Sequence, residues 1–346
     1  MQCYYIDLYT DFSCLAGACP STCCSGWKII IDAEAMQRFS SMENQSLKED
    51  IFSHIQEKNG EYCFQNEADG RCSMLDDDGL CRIQRNLTEK DLCNTCRKFP
   101  RLSRKVENRL WLSMAASCPV VAGYLWKQEI RWMKKDARNF SEPLEIKELP
   151  VVQEGLAFYA SQKEQLEQKN LQGERLEGKE KVLWHVKKQW SRFLLFLEVV
   201  DGVLEIAAEF PEQKYLTEYL DYFEKEDQKV IEIVEDMDIF EEKWQQKINR
   251  FIVNYLSYRL YSRKLEDLQE SLLQNYTQTL GELAIFYIIT FSRYFKKGEL
   301  SEEDIIENIN ITYRFCAHGR ISSQKISQRL DLLFEETEDY LCLLQG

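Results

Sequence analysis

The chain has 346 residues, 44% of them hydrophobic, and a net charge of −14, a composition that excludes an intrinsically disordered protein. Residues 1–140 carry 19 basic and 19 acidic side chains, so the whole negative charge lies in the remainder. An acidic second half argues against a general nucleic-acid binder, which needs basic side chains to neutralise phosphates. The longest apolar run, residues 283–289, is far shorter than the roughly 20 residues of a membrane span. No basic-then-apolar leader opens the sequence, so we expect a cytoplasmic protein.

The first 120 residues combine short predicted strands with short predicted helices. β-branched and aromatic segments predict strands over residues 4–9 and 27–32, and two more within 102–112 around a turn at Asn108. Helical periodicity predicts helices over residues 34–56, 88–95 and from 119 onward. Asp32 and Thr88 are placed to cap the first two helices, and Asn59-Gly60 ends the first.

The second half of the chain is predicted to be helical. Five of the six prolines fall by residue 150, so we place a linker at 143–150. Beyond it, helices are predicted over residues 179–200, 210–233, 240–261, 272–295 and 301–315, with Ser301 capping the last. An apolar stripe at helical spacing predicts a buried face on the third helix: Trp244, Ile248, Phe251, Ile252, Tyr255 and Leu260.

These elements predict a mainly α protein. A small, partly irregular Cys-rich domain with short strands would occupy residues 1–142. A larger, acidic, all-helical domain would follow the linker, over residues 151–346. The cysteine distribution supports this division, because eleven of the thirteen cysteines lie in the first 118 residues.

Clustered cysteines in a reducing compartment favour metal ligation over disulfides. Thiolates select zinc, copper(I) or iron–sulfur clusters. Only Cys93 and Cys96 have the Cys-x2-Cys spacing of a zinc ribbon, so thiols gathered from distant loops favour a cluster, with zinc as the alternative. Arginines and lysines that come soon after Cys96 could balance the thiolate charge.

Other cofactor and catalytic patterns are missing from the sequence. A thiol nucleophile needs a histidine partner, and of three histidines only His318 lies near a cysteine, Cys316. There is no Gly-x-Gly pair for a dinucleotide loop and no Gly-Lys-Ser/Thr phosphate loop. The Cys-x3-Cys-x2-Cys pattern of radical S-adenosylmethionine enzymes fits Cys19 and Cys23 but then meets Gly26.

The ordered motifs of residues 4–120 resemble the flagellin lysine-N-methylase family, within a wider group of cysteine-cluster proteins described as zinc- or iron-chelating. They are Tyr9-x2-Phe12-x-Cys14-x4-Cys19-x3-Cys23-Cys24-x-Gly26-Trp27-x4-Asp32, Cys72-x2-Leu75-Asp-Asp-Asp-Gly-Leu-Cys81-x-Ile83-Gln84, Thr95-Cys96-Arg97-x2-Pro100-Arg101 and Ser117-Cys118-Pro119. The resemblance implies methyl transfer from S-adenosylmethionine to lysine side chains of flagellin, with a cysteine-bound cluster, expected to be [4Fe-4S]. The metal ligands that it implies are Cys14, Cys19, Cys23, Cys24, Cys72, Cys81, Cys96 and Cys118, with Cys93 at a less constant position.

Several residues keep open roles. Arg97 and Arg101 could bind the carboxylate of S-adenosylmethionine or could neutralise the thiolates. No residue is singled out as the base that a lysine amine would need. The remaining cysteines, Cys3, Cys63, Cys316 and Cys342, are expected to be small buried hydrophobes. Flagellin or another lysine-bearing protein is the expected partner, and the alternative is a non-catalytic cysteine-cluster module that binds metal or docks a partner.

Overall fold

The computed structural model describes residues 2–106, 109–135, 141–144, 168, 230–262 and 271–318. The strands there are β1 Gln2–Ile6, β2 Ile55–Lys58, β3 Glu61–Phe64, β4 Arg101–Val106, β5 Arg109–Met114, β6 Trp132–Lys135 and β7 Ser141–Leu144. The helices are α1 Leu8–Asp11, α2 Ala33–Ser40, α3 Gln45–Ser53, α4 Arg82–Asn86, α5 Asn94–Lys98, α6 Pro119–Lys127, α7 Val230–Ser262, α8 Ser271–Lys297 and α9 Glu302–Tyr313. Short 3₁₀ turns lie at Ala16–Ala18 and Glu89–Asp91, and a π-helical turn comes after α9 at Arg314–His318.

Five of these strands form one sheet in the order β4-β5-β1-β6-β7. The central strand β1 is parallel to β5 and antiparallel to β6. Its residues Tyr5 and Ile6 are buried, at 6% and 0% exposure. The predicted strand over 4–9 was wrong beyond Ile6, because the Asp7 side chain accepts a hydrogen bond from the Leu8 amide (2.8 Å) and begins α1.

Residues 27–32 do not form a strand, so that prediction was wrong. They make one isolated β-bridge, between Ile30 and Cys63 of β3. Ile29 and Ile31 point into the core and are 2% and 4% exposed, whereas Ile30 is 38% exposed. Burial therefore alternates along the segment as it does along a strand, although only one β-bridge forms.

The predicted helix over 34–56 is two helices, α2 and α3, with β2 after them. The Asn44 side chain accepts a hydrogen bond from the Leu47 amide (3.1 Å) and starts α3 as a separate helix. Helical periodicity continues across this break because Phe39 and Ile51 are buried in the same core. The cap at Asp32 is confirmed, since Oδ1 accepts from the Ala35 amide at 3.1 Å.

The prediction that Asn59-Gly60 ends a helix was wrong, because α3 already ends at Ser53 and the pair joins β2 to β3. Both residues have positive φ (58° and 76°), as a two-residue hairpin turn requires. The cap at Thr88 is confirmed and forms a capping box with Asp91, but the helical turns are not continuous over 88–95. Glu89–Asp91 is a 3₁₀ turn, and α5 begins only at Asn94.

The prediction of helix throughout from residue 119 was also wrong. The helix α6 ends at Lys127, and β6 and β7 come next. The Asn254 amide group on α7 donates hydrogen bonds to the carbonyls of Leu125 (2.8 Å) and Gln128 (2.7 Å). These tertiary hydrogen bonds satisfy carbonyls at the end of α6. The local sequence around α6 therefore does not predict where the helix ends.

The three later helices confirm the predictions over 240–261, 272–295 and 301–315. The helix α7, however, starts at Val230 and is continuous through residues 234–239, where a break between two helices was predicted. Ser301 forms the expected capping start with Asp304. The apolar stripe is buried as predicted at Trp244, Ile248, Phe251, Ile252 and Tyr255. The predicted helix over 179–200, most of that over 210–233, the side chain of Leu260 and the turn at Asn108 lie outside the described residues.

The later helices pack on the sheet and on α6. The Trp126 ring of α6 contacts the rings of Trp244 (6.1 Å) and Phe251 (5.9 Å) on α7. The Tyr261 hydroxyl of α7 lies 2.6 Å from the Tyr4 carbonyl in β1. Strands and short helices thus come first along the chain, and long helices come later. The five-stranded sheet gives the first part more regular structure than the partly irregular domain predicted from the sequence.

The proposed division at 143–150 stays a prediction. No helix within the described residues combines the length and the apolar character that crossing a membrane requires. The helix α6 connects the cysteine-rich segment to the later helices, because its N-cap residue is Cys118 and both α7 and α9 pack on it.

Candidate functional site

A cavity of about 310 Å³ lies between the first cysteine loop, α5 and the start of α6. It is lined by seven of the nine cysteines expected to bind metal: Cys14, Cys19, Cys23, Cys24, Cys81, Cys96 and Cys118. Phe12, Trp27 and Phe99 add aromatic surface, and Arg97 and Arg101 add positive charge. The volume lies at the lower end of the range of small-molecule sites.

Hydrogen bonds attach the first cysteine loop to the second cysteine segment. The Cys72 amide donates to the Cys24 carbonyl at 2.6 Å. The Trp27 indole donates to the Cys23 carbonyl, also at 2.6 Å. The Trp27 indole and the Cys72 amide therefore hold the backbone of the two adjacent cysteines from both sides.

A close backbone approach brings the loop after Cys14 to the turn before Cys81. A Cβ at Gly17 would meet the Asp78 carbonyl oxygen at 3.2 Å, which is tighter than ordinary packing. A side chain at this position would therefore push the two loops apart. The two thiols reach the same cavity because both turns pack this closely.

The short helix α5 brings Cys93 and Cys96 together. Cys93 is its N-cap residue, and the two Sγ atoms are 3.5 Å apart. Asp32 fixes this helix as well as α2, because its Oδ2 accepts a hydrogen bond from the Asn94 amide at 2.6 Å. One carboxylate thus links the first cysteine segment to the second.

The other cysteines that the structure describes do not line the cavity. Cys72 and Cys93 are 4% and 1% exposed and belong to the core beside the cavity, together with Cys24, Cys81 and Cys96. Cys63 and Cys316 are buried and Cys3 is half-buried. Cys342 lies outside the described residues.

Burial and neighbouring thiols disfavour most thiolates at this site. Burial raises the pKa of Cys72 to about 12 and also raises the pKa values of Cys81 and Cys118. The Cys23 thiol donates a hydrogen bond to Cys24, which lowers the pKa of Cys24 to about 7 and raises that of Cys23. A bound cation would reverse this preference, because metal binding removes thiol protons.

The donor types at this cavity fit a thiophilic metal or an iron–sulfur cluster. Among the side chains that the structure describes, however, no three or more Cys, His, Asp or Glu are arranged to hold a metal ion. The seven thiols share one cavity without forming a coordination shell. Ligation would require their side chains to turn toward a common centre.

The two arginines differ in what they already contact. Arg101 donates to the carbonyls of Tyr9 (3.3 Å) and Phe12 (3.4 Å), and its guanidinium lies 5.0 Å from the Phe12 ring centroid. Arg101 therefore holds the segment that leads into the first cysteine loop. Arg97 donates instead to the Asn94 side chain of its own helix. Both guanidinium-bearing residues line the cavity.

One lining residue has no signal in the sequence. Glu89 is the single carboxylate among the described residues of the cavity wall, and it is exposed. It reaches the site because the capped 3₁₀ turn Glu89–Asp91 lies next to α5. Nothing in its local sequence separates it from the many other acidic residues of the chain.

Comparison with known proteins finds partial-length relatives. The chain is 34% identical over 117 residues to lysine-N-methylases of Salmonella typhimurium and Salmonella choleraesuis. These matches cover 32% of this chain and 29% of each relative, so the chain spans less than a third of their length. It is 30% identical over 138 residues to the flagellar biosynthetic protein FliU of Salmonella muenchen, covering 38% of this chain and 81% of FliU. No family model and no solved structure matches the chain.

Proposed function

Because this chain belongs to the flagellin lysine-N-methylase-like family, we propose that it is a protein-lysine N-methyltransferase acting on flagellin or another lysine-bearing protein. The methyl donor in this proposal is S-adenosylmethionine, and the cysteines hold an iron–sulfur cluster, with zinc as the alternative. The observation that carries the proposal is the gathering of seven cysteines, three aromatic rings and two arginines around one cavity. Thiols that must stay reduced suit a cytoplasmic protein.

The cavity-lining cysteines would hold the cluster, with Cys72 and Cys93 able to join them from the adjacent core. A bound cluster would supply a redox-active centre at the cavity. Arg97 and Arg101 would balance the negative charge that several thiolates bring. Four ligands suffice for one [4Fe-4S] cluster, so the cysteines outnumber those that a single cluster needs.

The cavity wall also suits a charged methyl donor. When bound, S-adenosylmethionine supplies a methyl group on a positively charged sulfur. Aromatic faces such as those of Trp27 and Phe99 attract cations, whereas the Phe12 ring already contacts the Arg101 guanidinium. Of the two arginines, Arg97 is the better candidate for the carboxylate of the donor, because Arg101 already holds main-chain carbonyls.

A lysine amine must lose its proton before it can accept a methyl group. We assign Glu89 to this step, because its carboxylate lines the cavity and can accept a hydrogen bond from an entering ammonium group. Its exposure would let the proton pass on to solvent. The apolar part of the wall would desolvate the amine and so favour the neutral form.

Binding of S-adenosylmethionine by anaerobically purified protein tests the proposal directly. Calorimetry should show saturable binding, and Arg97→Gln should weaken it about 10- to 100-fold, the loss expected for a charged hydrogen bond. Lys98→Gln is the matched control, because it removes the same charge from an exposed neighbouring side chain that does not line the cavity. Absence of binding, or equal losses in both variants, would contradict the proposal and favour the non-catalytic metal-binding module.

A further inference from the structure

The last described turn of the chain reaches the first cysteine loop. The Arg314 guanidinium donates to two consecutive carbonyls, those of Ser21 (3.2 Å) and Thr22 (2.9 Å). These carbonyls lie between Cys19 and Cys23, both of which line the cavity. A side chain about 290 residues away in sequence therefore holds the backbone between two candidate ligands.

Asn310, one turn earlier on α9, makes a second contact with the same loop. Its Oδ1 accepts a hydrogen bond from the Ser21 hydroxyl (3.2 Å), and its Nδ2 donates to the Ala116 carbonyl (3.4 Å). Asn310 is only 1% exposed; its bond to the Ala116 carbonyl is buried and its bond to the Ser21 hydroxyl is partly buried. Ala116 lies two residues before Cys118, and the amide thus bridges two cysteine-bearing segments.

The loop has little structure of its own to fix these thiols. Between Cys14 and Cys24, a stretch that the structure describes throughout, the only helix or strand is the 3₁₀ turn Ala16–Ala18. Arg101 holds the chain just before the loop, at the carbonyls of Tyr9 and Phe12. At the other end of the loop, Arg314 makes the matching contact, with the carbonyls of Ser21 and Thr22. Arg314 also begins a π-helical turn, and such turns are frequent at functional sites.

We infer that Arg314 and Asn310 are positioning residues of the thiol site, which hold Cys19 and Cys23 at the cavity from the C-terminal helices. This inference rests on the proposed function only in taking the thiols as the functional groups. It adds that the cysteine-rich segment alone is an incomplete site. Arg314 and Asn310 touch the loop backbone and Ser21, and they act through the loop on the thiols.

Alkylation of the metal-free, reduced protein tests the inference without any activity. Iodoacetamide labelling followed cysteine by cysteine should proceed roughly tenfold faster at Cys19 and Cys23 in Arg314→Gln, because losing charged hydrogen bonds favours local opening. Labelling of the core residues Cys72 and Cys93 should keep its wild-type rate. Arg104→Gln is the matched control, since Arg104 also donates to two consecutive carbonyls, those of Tyr261 and Ser262, on another surface.

Unchanged rates at Cys19 and Cys23, or an equal rise at all cysteines, would overturn the inference. Asn310→Ala provides a second variant should Arg314→Gln fail to fold, with the same pattern expected. Arg314→Lys should restore part of the protection, because lysine keeps the charge but cannot donate to both carbonyls as a planar fork. After anaerobic addition of ferrous iron and sulfide, Arg314→Gln should show a weaker thiolate-to-iron absorption than Arg104→Gln. Failure of methyl transfer in the wild type would leave the labelling result unaffected, so the two failures are distinguishable.

Discussion

Replacing Asp32 should destabilise the protein more than replacing an ordinary helix cap, because its carboxylate serves two helices. Oδ1 accepts from the Ala35 amide of α2 at 3.1 Å, and Oδ2 accepts from the Asn94 amide of α5 at 2.6 Å. Although partial burial acts to raise the pKa of Asp32, these hydrogen bonds outweigh it and hold the pKa below its usual value. The carboxylate is therefore bound in its charged form.

The expected cost of losing Asp32 comes from its two contacts. Loss of an N-cap costs about 1 kcal/mol, and loss of a hydrogen bond to a charged group costs about 1.5–3 kcal/mol. Asp32→Ala should therefore lower the free energy of unfolding by about 3 kcal/mol. Asn44→Ala removes the single cap contact of α3 and should cost only about 1 kcal/mol.

Urea unfolding of both variants measures the difference, with the midpoint lowered and the slope unchanged. The pH dependence supplies a second check. Because the folded pKa of Asp32 lies below the unfolded value of about 3.9, its charged form stabilises the protein above that pH, and the contribution is lost as pH falls through the folded pKa. The stability gap between wild type and Asp32→Asn should therefore narrow below about pH 3.9. An Asp32→Ala cost no greater than that of Asn44→Ala would refute the double-cap reasoning.

Three further predictions concern the core and the cavity. Glu282→Gln should destabilise the protein by about 3–5 kcal/mol in thermal unfolding, because it leaves the Arg259 charge buried without its carboxylate partner; a loss below about 1 kcal/mol would contradict this. Glu89→Gln should lower the methylation rate at least tenfold, measured by steady-state kinetics. Its affinity for S-adenosylmethionine, measured by calorimetry, should stay unchanged. A methylation rate equal to that of the wild type would exclude Glu89 from proton removal. Cys23→Ser should lower the iron content of the purified protein while Cys63→Ser, outside the cavity wall, should not; equal iron in both would contradict the ligand assignment.

Local chemistry explains which elements could be predicted from the sequence. Asp32, Thr88 and Ser301 cap helices or turns through partners no more than three residues away. The local sequence is therefore enough to predict these capping contacts. The buried face of α7 is predictable from apolar residues at helical spacing, such as Phe251 and Tyr255. The Asn59-Gly60 pair is a common hairpin signal, but helical periodicity over residues 34–56 hides β2 before it and predicts only the end of a helix there.

Long-range contacts explain the elements that the sequence does not predict. The helix α6 ends where Asn254 donates hydrogen bonds to its carbonyls, and β6 forms by pairing with β1. Asn254 and β1 are both more than 100 residues away from the elements that they contact. The cysteines are evident from composition, but the cavity wall also depends on Glu89 and on the reach of Arg314 to the first loop. Neither residue stands out locally from others of its charge.

Methyl transfer itself tests the central claim most directly. Anaerobically purified protein should be incubated with S-adenosylmethionine carrying an isotopically labelled methyl group and with flagellin, and flagellin lysines should be examined by mass spectrometry. We expect labelled methyl-lysine with the iron-loaded wild type and a large loss with Cys23→Ser, while Cys63→Ser stays active. Absence of labelled lysine with wild-type protein that contains iron and binds S-adenosylmethionine would contradict the assignment as a methyltransferase.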